Sequence, residues 1–361
     1  MTKVLFGDYI LFHTRLNLIE RIRRKDLFMR KKYSLLSFFG VISLLVVVCA
    51  SWVSMNYKAP LHAHAATNTF SPGTYTETFN SGGFMRSYDL HVPNSYSSRS
   101  GPVPIVFLYH ATGGSSSQIA SLTRFTEKSD SAGFILVTPQ GLVGAKNHAT
   151  GWNAYDSFWG SINSGPDDVQ FSKDILNYLS SNLDIDSKRV YATGFSAGAF
   201  LSYRLGQVAA DKVAAIGPVA GNMQTDQYGI VPATAVSVIA IHDVHDTIAL
   251  YNGGSSAGGD SLIADGPGRG DLVKTIMNWW AWRDGCSFSP AVSSVGIGPT
   301  TTKYDYPNCP TGIDISFYAS NVPAGGNPHT WPGATDSDIT KNNDGSATEA
   351  IWDFFASHPK P

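Results

Sequence analysis

Charge is scarce in this chain of 361 residues: 15% of them are Asp, Glu, Lys or Arg, and 26 basic side chains nearly balance 28 acidic ones. That balance leaves too little excess positive charge for a phosphate-binding face, so nucleic acid is excluded as a partner recognised through bulk charge. Cysteine is scarcer still. Three cysteines, none in a C-x-x-C pair, exclude a disulfide-built mini-domain, a zinc ribbon and a thioredoxin-like redox site. Internal repeats, a Thr/Pro-rich linker and an appended module are also missing from the pattern. What is plentiful is apolar or small: 43% of residues are hydrophobic and 35 are glycine. Such a composition builds a large buried core with many tight turns, and it excludes disorder, collagen and coiled coil.

The N-terminal region reads differently from the rest. No charged residue occurs from Tyr33 to Tyr57, Leu35 to Val53 is almost wholly apolar, and Arg30, Lys31 and Lys32 stand immediately before it. Basic flank followed by apolar run is the pattern of an export signal or a membrane anchor rather than of a buried core helix. Met29 directly precedes the basic triplet and is a candidate true start. The small-residue site Ala63-His64-Ala65 lies well beyond the apolar run, so both a cleaved signal and a retained anchor stay open. Cys49 follows three valines where lipoprotein processing wants a small residue, which argues against lipidation. The expected division is residues 1–65 for targeting and 66–361 for one catalytic domain, placed outside the cell or on its surface. Contact with a membrane is expected through the N-terminal segment alone.

Beyond that segment, β-branched or apolar runs bounded by turn residues predict strands over Tyr75–Phe79, Ser87–Val92, Ile105–Tyr109, Ile135–Thr138, Val190–Thr193, Val236–Ile241 and Ile315–Tyr318. The first two form a hairpin. Helical periodicity falls at Ser117–Ser131, Val169–Asn182, Ala197–Ala209, Leu272–Arg283 and Thr348–Ser357. Short buried strands alternating with helices predict an α/β fold, a mostly parallel sheet covered on both faces, with chemistry at the carboxyl ends of the strands.

At one such end Val190-Tyr-Ala-Thr193 runs into Gly194-Phe195-Ser196-Ala197-Gly198, and a helical pattern follows at once. This is a nucleophile elbow in its required strand-to-helix context. A serine hydroxyl needs a histidine to take its proton and a carboxylate to fix that histidine's tautomer, expected here in the chain order Ser, Asp, His. The strand Val236–Ile241 empties into His242-Asp243-Val244-His245-Asp246, where either aspartate can serve. His329 lies in the Gly/Pro-rich segment Gly325 to Gly333, a place with no core-packing reason for a histidine. Ile105–Tyr109 is followed by His110-Ala111-Thr112-Gly113-Gly114, a small-residue loop suited to an oxyanion hole built from the N–H groups of Thr112 and Ala197. His242 and His245 with the two aspartates sit on a post-strand loop and lack the convergent ligand set of zinc; no metal or cofactor is expected.

These segments together resemble the α/β-hydrolase family of extracellular polyhydroxybutyrate depolymerase-like esterases, which also holds feruloyl and acetyl xylan esterases. The resemblance covers about residues 72 to 358. It rests on Gly83 to Pro93, the His110 loop, Gly133-Phe134 with Pro139, Trp152-Asn153, Asp167-Asp168-Val169, Gly194 to Gly198, His242 to Asp246 with Tyr251 to Gly254, His329 to Gly333 and Trp352 to Phe355. It implies an α/β-hydrolase fold, Ser196 as nucleophile, His329 as base and Asp246 rather than Asp243 as the orienting acid. It also implies a disulfide between Cys286 and Cys309, and it makes Trp152 and Trp331 candidate substrate contacts. Two departures stand out. The chain has His110-Ala111 where the family usually has His-Gly, and the stretch Ala154 to Pro166 lacks the cysteines common in relatives but carries Tyr155, Phe158 and Trp159.

The resulting expectation is an exported serine esterase acting on hydroxyalkanoate esters or on feruloyl or acetyl groups of plant polysaccharide. The rivals are a serine peptidase or acyltransferase on the same scaffold, since fold and triad do not choose the acyl substrate, and a hydrolase-fold binding module that has lost catalysis.

Overall fold

A computed structural model describes residues 70–145, 148–154, 165–223, 234–253, 272–294, 296–322, 326–334 and 345–361. The apolar N-terminal run, Met29, Cys49, the Ala63-His64-Ala65 site and the aromatic trio Tyr155, Phe158 and Trp159 lie outside the described residues. Among the described residues no helix is long and apolar enough to cross a membrane.

The chain opens with the hairpin β1 (Gly73–Ser81) and β2 (Phe84–Val92), followed by β3 (Val103–Tyr109), the helices α1 (Ser116–Thr123) and α2 (Phe125–Ala132), and β4 (Ile135–Pro139). A two-strand ribbon, β5 (Leu142–Val143) and β6 (Thr150–Gly151), precedes α3 (Asp168–Asn182), β7 (Ile185–Phe195), α4 (Ala197–Val208), β8 (Ala215–Val219) and β9 (Ser237–Asp243). Then come α5 (Leu272–Arg283), β10 (Ala291–Ser293), β11 (Thr302–Tyr306), β12 (Ile315–Ser320) and α6 (Ala347–Ser357). Ten strands form one sheet in the order β1-β2-β4-β3-β7-β8-β9-β12-β11-β10. The central run from β4 to β12 is parallel, and antiparallel strands close both edges.

Side chains alternate across the sheet with the period of two that a strand imposes. In β3, Val103, Ile105, Phe107 and Tyr109 enter one apolar cluster, which they share with Val169 and Ile175 of α3, Phe200 and Tyr203 of α4, and Ile276 and Trp280 of α5. Val106 and Leu108 of the same strand enter the other, with Ile119 of α1, Phe125 of α2 and Ile351 and Phe355 of α6. Burial on both faces explains why the central strands are continuous apolar runs.

The predicted helix Ser117–Ser131 is two helices. Arg124 sits between them in the left-handed region at φ 59°, which breaks the first helix without a glycine. Cys286 and Cys309 are disulfide-bonded. The bond joins the end of α5 to the loop after β11, a closure expected to stabilise by roughly 3 kcal/mol in the chain-entropy account.

Candidate active site

β3 and β7 are parallel neighbours with Tyr109 opposite Gly194, so the loops leaving their carboxyl ends lie side by side. Ser196 forms the corner between β7 and α4 with φ 54° and ψ −116°, a strained conformation for a residue with a side chain. Its own N–H donates to the Val219 carbonyl at 3.0 Å, pinning the corner to β8. The two elbow glycines allow the close approach this corner needs. A Cβ on Gly198 would stand 2.1 Å from the Tyr109 carbonyl oxygen, and one on Gly194 would stand 2.6 Å from the Gly198 backbone. Gly198→Ala is therefore expected to destabilise the domain by at least about 3 kcal/mol, read in thermal denaturation as a Tm lowered by roughly 6 °C or more. An unchanged Tm would show that the elbow has slack.

His329 reaches the serine from the loop after β12. Its Nε2 lies 3.0 Å from Ser196 Oγ and its Nδ1 lies 2.8 Å from Asp246 Oδ2. A carboxylate only accepts, so Nδ1 carries the proton and Nε2 offers its lone pair to the serine hydroxyl. Asn327 fixes the approach of the ring by accepting the His329 backbone N–H at 3.0 Å. Asp246 is buried; its Oδ1 accepts the N–H groups of Ile248 and Ala249 at 2.8 and 2.9 Å. Burial alone would push this carboxyl up, but hydrogen bonds from His242 and His329 outweigh it and hold the pKa down at about 2.

The two aspartates differ in position: it is Asp246 that is hydrogen-bonded to His329. Asp243 accepts Ser320 Oγ and the Val322 N–H, both at 2.8 Å, and the His245 N–H at 2.8 Å. It ties the end of β9 to the end of β12 and makes no contact with His329. The sequence pattern alone gave Asp243 no such role. Among the described residues no three His, Cys, Asp or Glu side chains gather as metal ligands would.

The His110 loop is organised by its own histidine. Its Nδ1 lies 2.7 Å from the Ala111 carbonyl oxygen, and its Nε2 accepts the Gly141 N–H at 2.9 Å. The ring is thus the neutral Nδ1–H tautomer, and burial lowers its pKa to about 4. The Gly114 N–H is a second donor to the Ala111 carbonyl, at 3.0 Å. In a trans peptide the carbonyl and the following N–H point in opposite directions, so anchoring this carbonyl fixes the direction of the Thr112 N–H. The N–H groups of Thr112 and Ala197 donate to no other group among the described residues. Ala111 itself is not left-handed, whereas Gly113 is, at φ 73°; a Cβ at position 111 is therefore accommodated without backbone strain.

The two tryptophans expected to contact substrate are interior residues instead. Trp152 is 0% exposed and Trp331 1% exposed. The Trp152 indole N–H donates to the His110 carbonyl at 2.8 Å, and that of Trp331 to Thr348 Oγ1 at 3.1 Å. Each indole finds a buried acceptor, which is what allows it to be buried at all. Trp152 braces the His110 loop, and the Asn153 N–H after it is held by Asp168 at 2.6 Å, a carboxylate that also pairs with buried Arg86 at 2.6 Å.

A mostly parallel sheet with helices on both faces, and an elbow serine hydrogen-bonded to a histidine that an aspartate holds, in the chain order Ser, Asp, His, is the arrangement of the α/β-hydrolase fold. Within that class, residues 86–258 match the family model for esterase PHB depolymerase. The chain is 28% identical over 221 residues to feruloyl esterase B of Piromyces equi, an alignment covering 60% of this chain and 38% of that protein. It is 25% identical over 292 residues to feruloyl esterase D of Neurospora crassa, covering 78% of this chain and 85% of that one. The chain thus spans well under half of the first relative and most of the second. The acetyl xylan esterase from Aspergillus awamori shares the fold at a TM-score of 0.52 and 12% identity, covering 78% of this chain and 99% of that one. The chain is thus similar to polyhydroxybutyrate depolymerase-type, feruloyl and acetyl xylan esterases, as the sequence segments imply.

Proposed function

We propose that the chain is an exported serine carboxylic ester hydrolase, and the observation that carries this reading is the hydrogen-bonded line Ser196–His329–Asp246. His329 Nε2 takes the Ser196 hydroxyl proton as Oγ attacks the ester carbonyl carbon. The carbonyl π electrons move onto oxygen, where the N–H groups of Thr112 and Ala197 and the start of α4 meet the negative charge. Asp246 stabilises the imidazolium without taking its proton. Collapse of the tetrahedral intermediate breaks the bond to the alkoxy oxygen, which leaves as alcohol with the proton from His329. Water, deprotonated by the same nitrogen, then attacks the acyl-enzyme and releases the acid and Ser196.

The relatives support a substrate class of feruloyl or acetyl esters of plant polysaccharide, or of hydroxyalkanoate esters. Export rests on the apolar run after Arg30, Lys31 and Lys32. The test is hydrolysis of p-nitrophenyl butyrate by the full chain against Ser196→Ala, together with labelling by a fluorophosphonate probe. The expected result is probe incorporation at one residue and a loss of at least about 10⁴-fold in kcat on removing the hydroxyl. Equal rates from two folded proteins, with no label, would leave a binding module. A following panel of methyl ferulate, acetylated xylan and hydroxybutyrate oligomers ranks the substrates.

A further inference from the structure

Asp246 carries a second imidazole that the reaction scheme above does not use. His242, near the carboxyl end of β9, is buried, and its Nε2 lies 2.7 Å from the Ala249 carbonyl oxygen and 3.2 Å from Asp246 Oδ2. A carbonyl oxygen only accepts, so this nitrogen carries a proton and shares it between the carbonyl and the carboxylate. Asp246 Oδ2 therefore receives two imidazole N–H groups, one from His329 at 2.8 Å and one from His242. The same contact closes the loop that bears the acid, because the N–H of Ala249 donates back to Asp246 Oδ1 at 2.9 Å.

We propose that His242 is a positioning residue of the triad: its Nε2–H holds the Asp246 carboxylate in register for His329 and shares the carboxylate's charge with it. The inference rests on Ser196, His329 and Asp246 working as proposed above. Hydrogen bonds to a carboxylate stabilise its charge, and each one reduces what the carboxylate can lend to a neighbouring imidazolium. A neutral His242 is needed for this. As a cation it would repel the imidazolium that forms on His329 during attack.

The other titratable groups facing this pair among the described residues are few. Asp243 ends β9 and His245 lies on the loop after it; Asp243 is committed to Ser320 and Val322, and His245 is exposed. From the segment after the loop, the Tyr251 ring lies 6.0 Å from the His242 ring. His329 comes from the loop after β12.

The test compares the pH dependence of p-nitrophenyl butyrate hydrolysis by the full chain with that of His242→Leu and His242→Gln. Leucine removes the N–H. Glutamine places an amide N–H near the same point but does not titrate. For His242→Leu the expected result is a kcat lowered about tenfold, the worth of one charge-assisted hydrogen bond, with KM within twofold of wild type. Its acid limb should move to higher pH, because the Asp246 carboxylate then serves His329 alone. His242→Gln should keep both the rate and the limb. A purely structural histidine would lower Tm and leave the limb in place, and that outcome overturns the inference. If His242→Leu does not fold, His242→Asn carries the test: its amide falls a methylene short, so the limb should move as for leucine, and an unmoved limb overturns the inference. A wild type that neither hydrolyses the ester nor takes the fluorophosphonate probe overturns the triad reading and this inference together; an active wild type with unshifted variants overturns this one alone.

Discussion

Asp246→Asn is expected to lower kcat for p-nitrophenyl butyrate by about 10⁴-fold and to leave KM within twofold. The direction of the new amide is dictated by the loop. Oδ1 of Asp246 accepts the N–H groups of Ile248 and Ala249, so the asparagine oxygen stays on that side and its NH₂ takes the place of Oδ2. That NH₂ then faces two imidazole nitrogens. Against His242 Nε2, whose proton is fixed by the Ala249 carbonyl, it sets donor against donor. Against His329 Nδ1 it can only donate, which forces the proton of His329 onto Nε2 and leaves no lone pair for Ser196. The change is confined to a buried side chain, hence the preserved KM. The carboxylate also has a stability consequence. Its pKa near 2 lies below the unfolded value near 3.9, so its contribution of about 2 kcal/mol is complete above pH 4 and is lost as pH falls through 2. A kcat for the asparagine variant within tenfold of wild type would mean that His329 takes its tautomer from elsewhere.

How far the sequence carries depends on whether the signal is local. The strands β3, β4, β7 and β9 are legible because burial on both faces makes each a short apolar run ended by turn residues. β8 is not legible: Ala215-Ile-Gly-Pro-Val219 holds two residues that normally argue against a strand. Gly217 is there because Ile351 and Phe355 of α6 press on the sheet, 3.0 and 3.2 Å from where its Cβ would be, and only the packed structure reveals that. The edge strands β10 and β11 are short and at most half-buried over most of their length, so no periodicity announces them. At the site, the elbow and the order Ser, Asp, His are sequence features. The choice between Asp243 and Asp246 is a matter of which carboxylate the backbone aims at His329, three residues apart on one loop, and the residues alone leave it open. Trp152 and Trp331 enter as candidate substrate contacts through the family resemblance; their burial depends on distant acceptors, the His110 carbonyl and Thr348, that a local sequence match cannot supply.

His110→Phe is expected to lower kcat by about 10²-fold, the cost of losing one oxyanion donor, with KM little changed. Phenylalanine keeps a ring against Trp152, whose centroid lies 4.7 Å from that of His110, but it removes both nitrogens. The Ala111 carbonyl then keeps the Gly114 N–H as its single donor and is free to rotate, carrying the Thr112 N–H away from the developing charge. On the other side of the ring the Gly141 N–H, which donates to Nε2 at 2.9 Å, is left without its acceptor at a cost of about 1–3 kcal/mol. The pH dependence separates the two effects. With its folded pKa lowered to about 4 against about 6.5 unfolded, the unfolded chain binds the extra proton between those values. The stability this neutral ring contributes is therefore complete above pH 6.5 and is lost as pH falls towards 4, on the order of 3 kcal/mol in all. His110→Phe has no such proton to bind, so its Tm should fall less than that of wild type between pH 7 and pH 4.5, although it starts lower. Activity of the wild type should also fail near pH 4 for a reason independent of His329, because a protonated Nε2 faces the Gly141 N–H as donor against donor and releases the loop. Thermal denaturation at the two pH values, paired with kcat and KM at pH 7, decides the matter: a variant with lowered Tm and unaltered kcat would show that Gly114 alone holds the Ala111–Thr112 peptide.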